Sequence, residues 1–180
     1  MKFNEYSKKN YKYDGERIIK VGARELYSFV YKRKWDLTQY DMDQLKRYGL
    51  EKAIYIYIGS SEKLNLRKRN RDWKYDIVRD TTHVAKVTKE FINKLKKFYE
   101  EETDFTTKEI NESLYHNSEI IARCESKLDA LKIEKSKNGY YHGLDLLGEI
   151  METRIILLSK RDSNLREIKD GAISILKLKN

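Results

Sequence analysis

The stretch Ile54-Tyr55-Ile56-Tyr57-Ile58-Gly59-Ser60-Ser61 constrains the fold more tightly than any other part of the chain. β-branched and aromatic residues alternate from Ile54 to Ile58, which is the composition and period of a strand. Gly59 and two serines then end the run and offer a helix N-cap. Directly after them comes the most basic segment, Glu62-Lys63-Leu64-Asn65-Leu66-Arg67-Lys68-Arg69-Asn70-Arg71-Asp72-Trp73-Lys74. A strand therefore delivers a cationic helix, expected to run from Ser61 or Glu62 to Tyr75. Tyr55 and Tyr57 are two apart and share one strand face. Their phenols and the arginines beyond can converge on one phosphate, which suits phosphodiester chemistry. Lys63, Lys68, Arg71 and Lys74 add cations for a nucleic-acid backbone.

Tyr57-Ile58-Gly59, followed by Ser60-Ser61 and then Asn65-Leu66-Arg67-Lys68-Arg69, resembles the second half of the GIY-YIG nuclease signature. In that family the YIG strand leads through a short loop to a helix carrying the catalytic arginine. The resemblance implies that role for Arg69, whereas a straight count from Gly59 favours Arg67. It also implies an earlier partner strand with its own tyrosine. Phe29-Val30-Tyr31 resembles that element with Phe in place of Gly, so Tyr31 becomes the second phenol. Ala53-Ile54-Tyr55 mimics the same motif but lies on the strand of Tyr57 and cannot be its neighbour. Where the family often carries a histidine or tyrosine one turn after the arginine, this chain has Trp73. The segment around Met151-Glu152-Thr153-Arg154-Ile155 resembles the family's glutamate helix. It implies Glu152 as the ligand of Mg²⁺ or Mn²⁺, with Glu149 as the fallback and Asn164 as a trailing Asn. The plainer alternatives stay open: ordinary tyrosines beside a solvated basic helix, and a surface Glu152 paired with a Lys or Arg.

A chain of 180 residues fits one domain and can bury an adequate core. With 39% hydrophobic and 37% charged residues it is globular with a heavily ionised surface. A net charge of +9 suits a polyanionic partner, here DNA, with RNA not excluded. No apolar run approaches the ~20 residues of a membrane span, so a membrane is not the expected partner. The start, Met1-Lys2-Phe3-Asn4-Glu5-Tyr6, has no apolar signal region, and a single cysteine, Cys124, allows no internal disulfide. Both point to the cytoplasm of a bacterial or phage-infected cell. There is no CxxC, Walker loop or GxSxG, and neither His116 nor His142 has a second histidine at helical spacing, so a histidine metal site is not expected.

Along the rest of the chain, residues 1–16 read as a flexible arm and 17–180 as one α+β domain. Arg17–Gly22 and Leu26–Tyr31 have strand composition, and Lys32-Arg33-Lys34 reads as a solvated or phosphate-facing patch. A short helix is expected between Leu37 and Gly49, capped by Thr38. A strand and turn are expected around Ile77-Val78. Val84, Val87, Phe91, Ile92, Leu95 and Phe98 then form an amphipathic stripe. The Thr106/Glu109 capping box opens a long helix through Ile110, Leu114, Ile120, Ile121, Leu128 and Leu131, with a break allowed at Asn117-Ser118 and an end at Asn138-Gly139. After a turn or strand at Tyr140–Gly143, a last apolar helix from Leu144 to Leu158 holds Glu152. Whether 172–179 is strand or helix is left open. The expected architecture is a small antiparallel sheet with a YIG strand and basic helix, plus a largely helical C-terminal half. Residues 84–139 form a helical elaboration that serves as a clamp on nucleic acid or a homodimer interface.

The function these readings support is a divalent-metal-dependent endonuclease hydrolysing DNA. The alternative is a non-catalytic basic nucleic-acid-binding protein, such as a phage or bacterial regulator, whose tyrosines stack on bases.

Overall fold

A computed structural model describes residues 11–13, 18–20, 28–61 and 65–159. Two long strands organise it: β3 (Ser28–Asp36) and β4 (Ile54–Ser61), paired antiparallel so that Tyr31 faces Gly59 and Trp35 faces Tyr55. β5 (Ser118–Cys124) pairs antiparallel with the outer side of β3, and β6 (Ile155–Leu157) pairs parallel with the start of β4. The sheet order is β5-β3-β4-β6. The fold is α+β, and the parallel β6 makes the sheet mixed rather than wholly antiparallel. A separate ribbon joins β1 (Tyr11–Tyr13) to β2 (Ile18–Lys20), so part of the expected arm is a paired strand. Residues 1–10 and 14–16 of that arm lie outside the described residues.

Alternation along β3 and β4 gives the sheet two unlike faces. Tyr31, Arg33, Trp35, Tyr55 and Tyr57 point one way, while Val30, Ile56 and Ile58 point the other. The aromatic face is covered by α2 (Leu66–Val78), α3 (Lys86–Glu102), the short α4 (Thr107–Asn111) and a π-turn at Glu112–His116. The aliphatic face receives α5 (Lys127–Leu147), with Cys124, Ala130 and Leu157 in that layer. Cys124 is thus a small core residue.

The basic helix starts later than expected. β4 continues through Ser60 and Ser61, and Asn65 supplies the cap, its side chain accepting from the Lys68 amide at 2.8 Å. The helix also continues through Ile77-Val78, where a strand was expected. Ile77 sits one turn beyond Trp73 and buries the same face, so packing prolongs the helix. Between β3 and β4 lies α1 (Met42–Arg47), capped by Asp41 rather than Thr38. The Asp41 carboxylate accepts from the amides of Asp43 and Gln44, and Leu45 anchors the helix in the core. Asp41→Ala should therefore lower stability by about 1 kcal/mol in urea unfolding, with no change of fold.

The amphipathic stripe of α3 is present, with Phe91, Ile92, Leu95 and Phe98 buried; Val87 alone of its expected members is outward. The Thr106/Glu109 capping box forms, but α4 is one turn long and Ser118–Cys124 is a strand, not more helix. Residues 84–139 thus contribute β5 to the central sheet besides helices. Asn138-Gly139 does not end a helix, and neither do Tyr140–Gly143 form a turn, because α5 runs through both. The helix ends at Gly148, with φ +45°, where a Cβ would stand 2.7 Å from the Arg154 guanidinium. That guanidinium donates to the Asp145 carbonyl at 2.9 Å, and the Asp145 side chain accepts from the Leu157 amide at 3.0 Å. These bonds turn the chain from α5 into β6, so no helix spans Leu144–Leu158. Residues 172–179 lie outside the described residues.

Candidate phenol and guanidinium site

Tyr31 and Tyr57 meet because their strands pair in this register. The rings stack at 6.3 Å between centres, inclined by 27°. Tyr31 is fully enclosed and lies across Gly59, where an added Cβ would be 2.5 Å from its hydroxyl and 2.7 Å from Cζ. Glycine is needed there for close approach of a neighbouring side chain, since its backbone does not take a positive φ. Tyr57 in turn stands edge-on to Trp73, at 4.6 Å. Trp73, found where the family often has a titratable side chain, is a fully buried packing residue.

Of the two arginines open to the catalytic role, α2 turns Arg69 inward. Its Nε donates to the Tyr31 hydroxyl at 3.0 Å, and its guanidinium lies 5.6 Å from the centre of that ring. Arg69 shares a helix face with Trp73 and Asp76, whereas Arg67 and Arg71 are solvent-exposed on another. Arg67 is therefore not in the site. Lys68 is half-buried, and Lys74 lies 5.4 Å from the Tyr115 ring centre. Lys63 falls outside the described residues.

Two further expectations are corrected. Tyr55 shares the face of Tyr57 but is buried, stacks on Phe91 at 4.2 Å, and its hydroxyl accepts from the Glu51 amide at 2.9 Å. It is a core residue directed toward the opposite end of β4. Glu152 is exposed in a bend, not held in a helix. It precedes β6 by three residues at the Ile54 end of β4, while Tyr31, Gly59 and Arg69 gather at the other end. The early end of α5 is the physical reason. The side chain of Glu149 and all of Asn164 lie outside the described residues.

Two further residues belong here, Glu134, to which the sequence assigned no role, and Arg33, expected on a solvated or phosphate-facing patch. Glu134 on α5 accepts a hydrogen bond from the Ser60 hydroxyl, and its charge is felt at the Tyr57 phenol. In sequence it is one of many charges on a helix; its place beside inward-facing Ile133 and Ala130 was the only hint. Arg33 is not on a solvated patch but fully enclosed beneath the tyrosines. The alternation Tyr31-Arg33-Trp35 carried that information, because it puts Arg33 on the face of two core aromatics. Its neighbour Lys32 points the other way and pairs with Glu119 at 2.8 Å, which raises the Lys32 pKa.

Burial pushes the Tyr57 phenol well above its usual range. Tyr31 and Glu134 push the same way, and Arg69 and Arg33 pull it back. Burial alone would lower the Arg69 pKa, but the Tyr31 and Tyr57 oxygens, the hydrogen bond to Tyr31 and the Asp76 carboxylate together raise it above its usual value. As to a metal, no group of three or more His, Cys, Asp or Glu occurs among the described residues. Glu134 with the Ser60 hydroxyl is a two-oxygen set of the hard kind that a hydrated Mg²⁺ accepts. No protein-family model matches the chain, and neither curated proteins nor solved structures yield a match. No helix among the described residues is long and apolar enough to cross a membrane.

Proposed function

We propose that the chain is a divalent-metal-dependent endonuclease hydrolysing DNA phosphodiesters, as its likeness to the GIY-YIG nucleases implies. One observation carries the reading: the Arg69–Tyr31 bond of 3.0 Å, with Tyr57 stacked alongside, gathers two phenols and a guanidinium at the glycine of the YIG motif. A guanidinium has five N–H donors, and its terminal fork matches two oxygens of a phosphate. Arg69 would hold the scissile phosphate and offset the charge that builds on it during attack. Tyr57 would orient the attacking water and take its proton, which requires the nearby cations to support a phenolate. Arg67, Lys68 and Arg71 would contact flanking phosphates from the outer side of α2. Glu134 takes the metal-ligand role first given to Glu152, with Ser60 beside it. A bound Mg²⁺ or Mn²⁺ would supply charge neutralisation at the phosphate.

The test is incubation of supercoiled plasmid with the protein in Mg²⁺ and in EDTA. Nicking that needs the metal and falls at least about 100-fold in Arg69→Ala supports the proposal. Arg69→Lys should recover little, because an ammonium lacks the fork. A mobility shift without cleavage, or an Arg69→Ala protein that cleaves like the parent, overturns it; the first result favours a non-catalytic binder.

A further inference from the structure

Arg33 is 0% exposed, on the β3 face that carries Tyr31 and Trp35. Its Nη1 donates to the Tyr115 carbonyl at 2.9 Å and its Nη2 to Asn70 Oδ1 at 2.9 Å, while Nε has no hydrogen-bond partner among the described residues. The guanidinium lies 4.4 Å from the Trp73 ring centre and 5.4 Å from that of Tyr31. With Arg69 at 5.6 Å, the Tyr31 ring has two guanidinium neighbours. No carboxylate pairs with Arg33 among the described residues. A buried charge without a counter-ion disfavours folding, and an apolar side chain of similar volume would serve packing as well or better.

We infer that Arg33 is a positioning residue of the phenol site, a fixed buried cation that holds the Tyr31 ring in place and, as the cross-strand partner of Tyr57 on the same sheet face, favours negative charge on the Tyr57 oxygen. This rests on the nuclease reading, in which Tyr57 must surrender a proton. The ionisable groups facing Tyr57 are Tyr31 and Arg33 from β3, Arg69 from α2 and Glu134 from α5; Asp76 of α2 acts on Arg69. Only the two arginines favour the phenolate. Burial brings Arg33 itself down to about 10, with Arg69 adding to the fall and the phenols opposing it, so it keeps its proton at neutral pH. Arg69 reaches the phosphate; Arg33, walled in by Trp73, Asn70 and Tyr115, acts from behind the rings.

The test reads the phenol directly. Tyr57→difluorotyrosine makes the phenol at this position more acidic; fluorine NMR follows its ionisation against pH, and circular dichroism taken at each point restricts the titration to pH values at which the chain is folded. Adding Arg33→Met should move the midpoint up by about one pH unit, a tenfold change, while Arg33→Lys keeps most of the parent value. Thermal stability of Arg33→Met should hold or rise, since a buried charge is removed. Should that variant not fold, Arg33→Gln carries the same test, because it keeps an amide donor without the charge. An unmoved midpoint in a folded, uncharged variant overturns the inference. So does a midpoint that Arg33→Lys fails to restore. Neither result touches the plasmid assay, and a failed plasmid assay leaves the titration standing, so the two readings fail separately.

Discussion

Gly59→Ala should abolish the proposed cleavage and lower stability by about 1–3 kcal/mol, although it adds one methyl group. That methyl would stand 2.5 Å from the Tyr31 hydroxyl, 2.7 Å from Cζ and 3.1 Å from Cε1. The ring cannot yield easily. Tyr31 is fully buried, flanked by Phe29 at 6.2 Å, Tyr57 at 6.3 Å and the two guanidiniums, and both strands beneath it are central in the sheet. Displacing it breaks the bond to Arg69. Tyr31→Phe should rescue Gly59→Ala only in part, since it removes the hydroxyl and leaves Cζ in the way. Tyr31→Ala should rescue stability but not activity, so the two changes should couple strongly in a double-mutant cycle. A Gly59→Ala protein with the parent's melting temperature and activity would show that the two strands do not meet as described.

The second large effect is alkaline unfolding. Burial raises Tyr55 and Tyr99 to about 12, against about 10 in an unfolded chain. A phenol whose folded value is raised contributes its stability fully below about pH 10 and loses it as pH climbs through about 12. At 1.36 kcal/mol per pH unit each group represents about 3 kcal/mol, and the pair about 5, which is comparable with the whole stability of a small domain. Burial moves Tyr57 in the same direction. Arg33 works against them, because its depressed value makes the unfolded chain the better proton binder above about 10, but it is one group against three. Urea midpoints measured from pH 8 upward should fall steeply above about 10, and the phenolate absorbance of the buried rings should rise together with the loss of circular dichroism. Ionisation of Tyr55 and Tyr99 in a chain that keeps its native signal would contradict their burial.

Several elements were legible from the order of residues because their causes are local. The Ile54–Ile58 strand needs only alternation, α3 only its apolar stripe, and the Thr106/Glu109 box only two side chains within one turn. Tyr31 as the partner phenol was implied by the likeness of Phe29-Val30-Tyr31 to the first half of the nuclease signature, Tyr55 sharing the strand of Tyr57. β5 escaped notice for a definable reason. Its pairing with β3 shifts between Val30 and Tyr31, leaving Ile121 as an extra residue, and a bulge of this kind erases the two-residue period. Ile77 was misread because a β-branched pair at the end of a basic helix resembles a strand until the core claims one face of it.

The sequence by itself determined the strand–glycine–basic-helix unit, the tyrosines two strands bring together, and a cationic surface suited to a polyanion. Only the tertiary structure decided which arginine turns inward, that Arg33 is sealed under the rings, and that Glu134 rather than Glu152 stands near Tyr57. The physical reason is range. Strand and helix period fix which face a residue occupies. What that face meets depends on the packing of α2 and α5 against opposite sides of the sheet, and on contacts as distant in sequence as Ser60 with Glu134.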